Sequence, residues 1–353
     1  MKIGILTFHY TNCNYGGILQ TFSIYKLIES LGYDSYIVNY PPKVNTLRKK
    51  MAARIEAFLG FEFEKFRREH ISRILHETTE KEDLEKLNEL LDGFIVGSDQ
   101  VWRYRSDSEV MFTYFLNFVN DDKLKIAYAA SFGVDFWEAG EQTTNQVKKL
   151  VQRFHAVSVR EESGIKICKE KFGIESINLL DPTFVLDKKY FHELADKKPL
   201  KKQKLGFIAY MLLDDAKQTE QYFKDYAKRQ KLNFIRIKGK NIYPKKNFYL
   251  FKSVSKWLSY IKKAELVVTD SFHCTVFSIL FRKKFICIAN KHRGVTRLEN
   301  LLKLIHLENR LIFDISGLNE SLLEAGIDYQ NVENLLSEEK NKSISFLKNA
   351  LQQ

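Results

Sequence analysis

The chain has 353 residues, 44% of them hydrophobic and 13% aromatic, which is too long for one ordinary core and apolar enough to fill two. Lysine and arginine exceed aspartate and glutamate by 56 to 44, and the formal net charge of +12 implies attraction to something anionic. No apolar run approaches the roughly 18 residues of a membrane span, and the lysines lie along amphipathic segments with no recurring basic-aromatic module, which argues against nucleic acid.

The N-terminus, Met1 to Thr7, reads as a first core strand and not as a signal peptide. Cys13, Cys168, Cys274 and Cys287 show neither CxxC pairing nor zinc-ligand spacing, so free thiols in a reducing cytoplasm are the simplest reading. The strand over Lys2–Phe8 leads to a loop, Thr11 to Gly17, and a helix from about Ile18 to Leu31. Gly32 stops that helix, and Tyr36 to Val38 form the next strand, completing a βαβ unit. The Asn14-Tyr15-Gly16-Gly17 loop lets backbone approach a ligand closely, but it lacks the spacing of a dinucleotide-binding GxGxxG. Residues 43 to about 91 are charged and helical in period, an insertion laid over the first sheet. Strands ending at Val96, Ala130, Val159 and Leu180 each run into a polar knot: Gly97-Ser98-Asp99-Gln100, Ser131-Phe132-Gly133, Arg160-Glu161-Glu162-Ser163 and Asp181-Pro182-Thr183. Polar groups at every strand tip lie along one edge of one sheet.

The charge run 196–204, with one of only five prolines, is the predicted linker. The alternation then restarts, with strands at Leu205–Tyr210, Asn233–Ile237, 266–269 and Phe285–Ile288 and helices at 215–230, 253–263, 274–281 and from near Thr296. The predicted organisation is an N-terminal α/β domain over 1–195 with the helical insertion, a C-terminal α/β domain over 205–320, and a helical tail over 321–353 packing back on the body. The fold class is α/β: two doubly wound, Rossmann-like domains facing across a cleft, which resembles the GT-B plan of many glycosyltransferases.

The segment Val267 to Leu280 says most about chemistry. An apolar strand breaks into Thr269-Asp270-Ser271-Phe272-His273 and a second apolar pattern follows at helical spacing. Open α/β sheets bind ligands at the carboxyl ends of their strands, and the amides of the next helix favour an anion there. His273 is therefore placed as a proton donor beside a bound phosphate or carboxylate. Cys274 reads as a nucleophile or as a small packed residue, Asp99 as a base or a cap, and Asp181 as a turn former ahead of Pro182.

Six short segments, in order, resemble the polysaccharide pyruvyl transferase family over nearly the whole chain. They are Asn14-Tyr15-Gly16-Gly17-Ile18-Leu19-Gln20, Gly97 to Trp102, Ala130 to Gly133, Ser158 to Glu161, Asp181 to Phe184, and Thr269 to His273, with Arg293 and Arg297 in a further basic segment. Cys274 departs from the family, which usually has glycine there. The resemblance implies transfer of a pyruvyl group from phosphoenolpyruvate to a sugar of a cell-surface polysaccharide or its lipid-linked precursor, as a cyclic ketal. It makes His273 the general acid and has Arg160 grip the donor's carboxylate or phosphate. Arg297 and Arg293 bind the phosphate with Ser271 and the amides after it. Asp99 orients or deprotonates the sugar hydroxyl, Ser98 and Gln100 contact the sugar, and Asn14, Tyr15, Gly16, Gly17 and Ser131 complete the substrate-binding set. The N-terminal domain is then the acceptor side and the C-terminal domain the phosphoenolpyruvate side. No metal or cofactor is expected, the location is cytoplasmic, and peripheral contact with the inner membrane face stays open. A nucleotide-sugar glycosyltransferase on the same architecture and a non-catalytic anion-binding protein are the rival readings.

Overall fold

The computed structural model describes residues 1–41, 51, 54–55, 57–78, 80–106, 109–200, 205–214, 216–243, 248–290 and 294–353. The chain forms two compact units, one of Met1–Met51, Arg67–Leu186 and Ser337–Gln353, the other of Ala52–Phe66 and Asp187–Leu336.

The first unit is built on a six-stranded sheet of β1 (Lys2–Leu6), β2 (Asp34–Ile37), β3 (Gly93–Val96), β4 (Leu124–Ala130), β5 (Ala156–Val159) and β6 (Ile177–Asn178). Their order in space is β2-β1-β3-β4-β5-β6, and every pairing is parallel. β3 and β4 are buried at every residue, as expected of parallel strands covered on both faces, which is why they read as unbroken apolar runs. The chain steps outward from β1 to β2 and returns on the other side of β1 as β3. The strand order therefore reverses between β1 and β3, the place where such sheets open a crevice at their carboxyl edge.

The helix α1 spans Tyr15–Ser30, starting three residues before the expected Ile18. Asn14 is its cap, its side-chain oxygen accepting the Gly17 N–H at 3.0 Å, so Tyr15, Gly16 and Gly17 form the first turn and not a loop. Helix α2 (Phe61–His70) lies in the segment expected to be helical, of which residues 43–50, 52–53, 56 and 79 fall outside the described ones. Helix α3 (Glu141–Val151) was not expected, because it buries only the narrow stripe Thr143, Val147 and Val151 and is polar elsewhere. Helix α4 (Glu162–Ile167) follows β5 directly.

The longer segment of the second unit, Asp187–Leu336, begins with α5 (Lys189–Asp196); of the expected linker, 201–204 lie outside the described residues. Its sheet has five parallel strands, β7 (Phe207–Met211), β8 (Asn233–Arg236), β11 (Leu266–Thr269), β12 (Lys284–Ile288) and β13 (Leu311–Ile312), in the order β13-β12-β11-β7-β8. The order reverses here between β7 and β11 in the same way. An antiparallel hairpin of β9 (Gly239–Tyr243) and β10 (Phe248–Phe251) follows β8. Sequence reading assigned neither strand: β9 opens on Gly239, Lys240 and Asn241, poor strand formers, and β10 shows no apolar–polar alternation. Helices α6 (Lys217–Arg229), α7 (Val254–Lys263), α8 (Phe272–Leu280) and α9 (Thr296–Leu304) complete the alternation.

Helix α10 (Tyr329–Leu351) forms the tail. In the second unit its Glu333 pairs with Arg282 at 2.6 Å and Lys188 at 2.9 Å. In the first unit Ser343 Oγ accepts the Leu180 N–H at 3.3 Å, and Leu347 and Leu351 are buried.

Candidate active site

In the first unit the strand tips are tied to one another. Thr7, after β1, donates its hydroxyl to the Ser98 carbonyl at 3.0 Å and accepts from Gln20 Nε2 at 2.8 Å. The chain then turns through Gly97 (φ +113°) and Asp99 (φ +77°). An added Cβ at Gly97 would collide with the Tyr128 carbonyl, so only glycine serves there. Asp99 is among the few residue types that tolerate such a backbone, and it is 8% exposed. Its Oδ1 accepts its neighbour Gln100's N–H at 2.8 Å, and the Gln100 side chain covers Gly133.

Arg160, at the tip of β5, is 4% exposed. Its Nη1 lies 2.7 Å from Asp181 Oδ2, and its Nη2 lies 3.6 Å from Asp99 Oδ1. Ser98 Oγ stands 3.0 Å from the same Asp181 oxygen. Burial opposes the guanidinium's charge, but Asp181, Asp99 and Glu161 outweigh it and hold its pKa above the usual arginine value. Asp181 also caps the short helix Pro182–Val185, accepting the Thr183 N–H at 3.0 Å. Glu161 points the other way, its Oε1 accepting from Ser131 Oγ at 3.1 Å and from the Phe132 amide at 2.7 Å. The tips thus bring two carboxylates, Asp99 and Asp181, to one guanidinium, and a third, Glu161, acts on it through space while bonding elsewhere. Such a site favours hydroxyl donors over a multiply charged anion.

The loop between β1 and α1 is clamped. Arg67 Nη1 donates to the His9 carbonyl at 3.0 Å, and the His9 ring lies 2.9 Å from Asn39 Oδ1. Sequence reading gave Arg67, Thr7 and Gln20 no role, although Gln20 ends one of the quoted segments.

In the second unit, Thr269 to His273 form the predicted strand-to-helix turn. Ser271 caps α8, its side chain accepting the Cys274 N–H at 3.4 Å. His273, in the first turn, is 7% exposed and packs edge-on to Phe272 at 5.2 Å between ring centroids. The Arg297 guanidinium lies over the same Phe272 ring at 5.9 Å, so the structure brings Arg297 to the His273 turn. Arg293 lies outside the described residues. Cys274 is fully buried, and burial pushes its thiol well above the ordinary range, so it packs as a small residue and holds no thiolate.

Asp270, which sequence reading passed over, holds the turn in place. Its Oδ1 accepts the Leu213 N–H after β7 at 2.7 Å, and its Oδ2 accepts Asn290 Nδ2 after β12 at 2.9 Å. Burial raises its pKa, partly offset by the bonds from Asn290 and Leu213. The signal for it was its place between Thr269 and Ser271 at a strand tip.

Paired parallel sheets with polar groups gathered at their carboxyl edges define a GT-B-like α/β protein, and solved structures agree. A UDP-GlcNAc 2-epimerase from Neisseria meningitidis bound to UDP-GlcNAc has a TM-score of 0.52 at 10% identity, covering 100% of each chain. A putative UDP-N-acetylglucosamine 2-epimerase from Listeria monocytogenes gives 0.51 at 11% identity, over 99% of this chain and 91% of that one. MnaA of S. aureus with UDP gives 0.50 at 13% identity, over 98% and 90%. At these identities the likeness is one of fold alone. No curated protein matches the chain in sequence.

The chain belongs to the polysaccharide pyruvyl transferase family, whose profile matches residues 14–292. It is thus a pyruvyl transferase of polysaccharide chemistry. Among the described residues, no helix is long and apolar enough to cross a membrane.

Proposed function

We propose that the protein transfers the pyruvyl group of phosphoenolpyruvate to two hydroxyls of a sugar in a cell-surface polysaccharide or its lipid-linked precursor, forming a cyclic ketal. The observation that carries this reading is the His273 turn, where an imidazole in the first turn of α8 shares Phe272 with the guanidinium of Arg297. The donor is a trianion, and the second unit's turn offers it a guanidinium and the start of a helix. The three carboxylates of the first unit repel it. The donor is therefore assigned to the His273 turn and the acceptor hydroxyls to the tips around Asp99.

His273 gives a proton to the methylene carbon of phosphoenolpyruvate, and the adjoining carbon gains oxocarbenium character. A sugar hydroxyl adds to that carbon and loses its proton to Asp99. The C–O bond to phosphate then breaks, and a second hydroxyl closes the ketal. One hydroxyl proton replaces the one spent by His273, and the other leaves with inorganic phosphate. A positioned acid is worth roughly 10²–10⁴-fold in such a step. Arg160, engaged by Asp181 and Asp99, acts as a positioning residue for Asp99 and not as a grip on the donor.

Incubation with phosphoenolpyruvate and a panel of lipid-linked sugars should release phosphate and add the mass of a pyruvate ketal to one of them. Consumption of a nucleotide sugar with phosphoenolpyruvate left untouched would overturn the assignment in favour of glycosyl transfer.

A further inference from the structure

The helical stretch that runs through residues 54–55 and 57–59 into α2 has two apolar sides, and the second unit buries only one of them. Leu59, Phe63 and Phe66, spaced by four and three, are buried, and Phe63 meets Phe251 of β10 edge-on at 5.6 Å between ring centroids. Ile55, Phe58 and Phe61, spaced by three, are 42%, 74% and 51% exposed. One exposed phenylalanine is ordinary, but three large apolar side chains between positions 55 and 61 make a patch for which the core has no use. Both sets of residues belong to the second unit, which comprises Ala52–Phe66 and Asp187–Leu336.

The surroundings of the patch are basic. Arg54 precedes Ile55 and Lys65 lies one turn beyond Phe61, and both are exposed. Lys198 donates to Glu62 Oε2 at 3.5 Å, which brings the charge run after α5, with Lys197, to α2 and answers the acid beside Phe61. In sequence the basic character continues on both flanks, with Arg48-Lys49-Lys50 before the stretch and Lys201-Lys202 after Lys198. Water solvates such cations by themselves; it does not solvate the rings set among them.

We infer that this face of the second unit docks on an anionic membrane surface, with Ile55, Phe58 and Phe61 set at the boundary of headgroups and acyl chains and the cations against lipid phosphates. An apolar stripe edged with arginine and lysine is the pattern of a helix lying in the interface plane, held by buried apolar area and by attraction to anionic lipid. A second copy of the chain is the poorer partner. Two-fold pairing sets the patch against itself and turns its cations toward cations, whereas anionic lipid answers rings and charges together. Membrane docking stands apart from the pyruvyl-transfer reading, and it gives residues to the peripheral contact that the sequence left open.

Flotation of the full chain with vesicles of equal parts phosphatidylcholine and phosphatidylglycerol tests the face. Wild type should rise with them, and less so at high salt or with phosphatidylcholine alone. Phe58→Ser and Phe61→Ser should each weaken binding about tenfold, the scale of one aromatic side chain leaving water. Their melting temperatures should match wild type, because both rings are more exposed than buried. Arg54→Gln should weaken binding to the anionic vesicles about fivefold. Phe313→Ser, which removes a ring 62% exposed just after β13, should leave flotation unchanged. Wild type that stays in solution, equal binding to neutral vesicles, full binding by the Phe58→Ser/Phe61→Ser double variant, or equal loss with Phe313→Ser overturns the inference. A wild-type dimer in sedimentation velocity that Phe58→Ser dissociates also overturns it, and gives the face to a second copy.

Discussion

Arg160 and Glu161 are neighbours in sequence and take their hydrogen bonds from different partners. Successive residues at a strand end face opposite sides, so Arg160 turns to Asp181 and Asp99 while Glu161 turns to Ser131 and the Phe132 amide. Their positions at strand tips were legible from the apolar runs that precede them. The partner of each was not, because Asp181 is 21 residues from Arg160 and Ser98 is 83 from Asp181, and nothing in a single sequence marks which distant tips meet. The Arg160–Asp181 pair has side chains 2% and 0% exposed, so removing one partner strands a buried charge. Arg160→Met should cost about 3–5 kcal/mol in urea denaturation. Arg160→Met with Asp181→Leu should cost less than the two single changes added together, and simple additivity would show that the pair is not coupled. His273 is the other residue-scale test. His273→Gln should lower phosphate release roughly 10²–10⁴-fold with circular dichroism unchanged, and a smaller loss would move the acid elsewhere.

Elements were legible where burial is two-sided or periodic and not where it is thin. β3, β4 and β11 announced themselves as apolar runs ending in polar knots, whereas α3 buries one residue per turn, β9 opens on Gly239, Lys240 and Asn241, and β10 lacks alternation. Helix α10 was visible as an amphipathic tail, but its electrostatic anchor was not. Glu333 is bonded first by Arg282 and then by Lys188, and its carboxyl is lowered to about 2 from the ordinary 4.5. A folded-state pKa below the unfolded one means that the unfolded chain takes up the proton first. The anchor's contribution is therefore complete above pH 4.5 and lost as pH falls from there toward 2. Denaturation of Glu333→Gln against wild type should show a stability gap at pH 7 that closes on acidification; a gap independent of pH would assign the effect to packing.

At the scale of the whole molecule, the two-sheet plan was readable from the restart of strand-helix alternation after 204, and family membership carries what the fold does not. One arrangement was out of reach from sequence: Ser337–Gln353 belongs to the unit that begins at Met1. Removing residues 337–353 should therefore lower the melting temperature of the first unit and bare the surface now covered by Leu347 and Leu351, and an unshifted transition would count against that placement. The same arrangement bears on biosynthesis. The strands of sheet β1–β6 are all translated before Asp187, yet the last segment of their unit, Ser337–Gln353, follows only after Asp187–Leu336 of the other unit has been made.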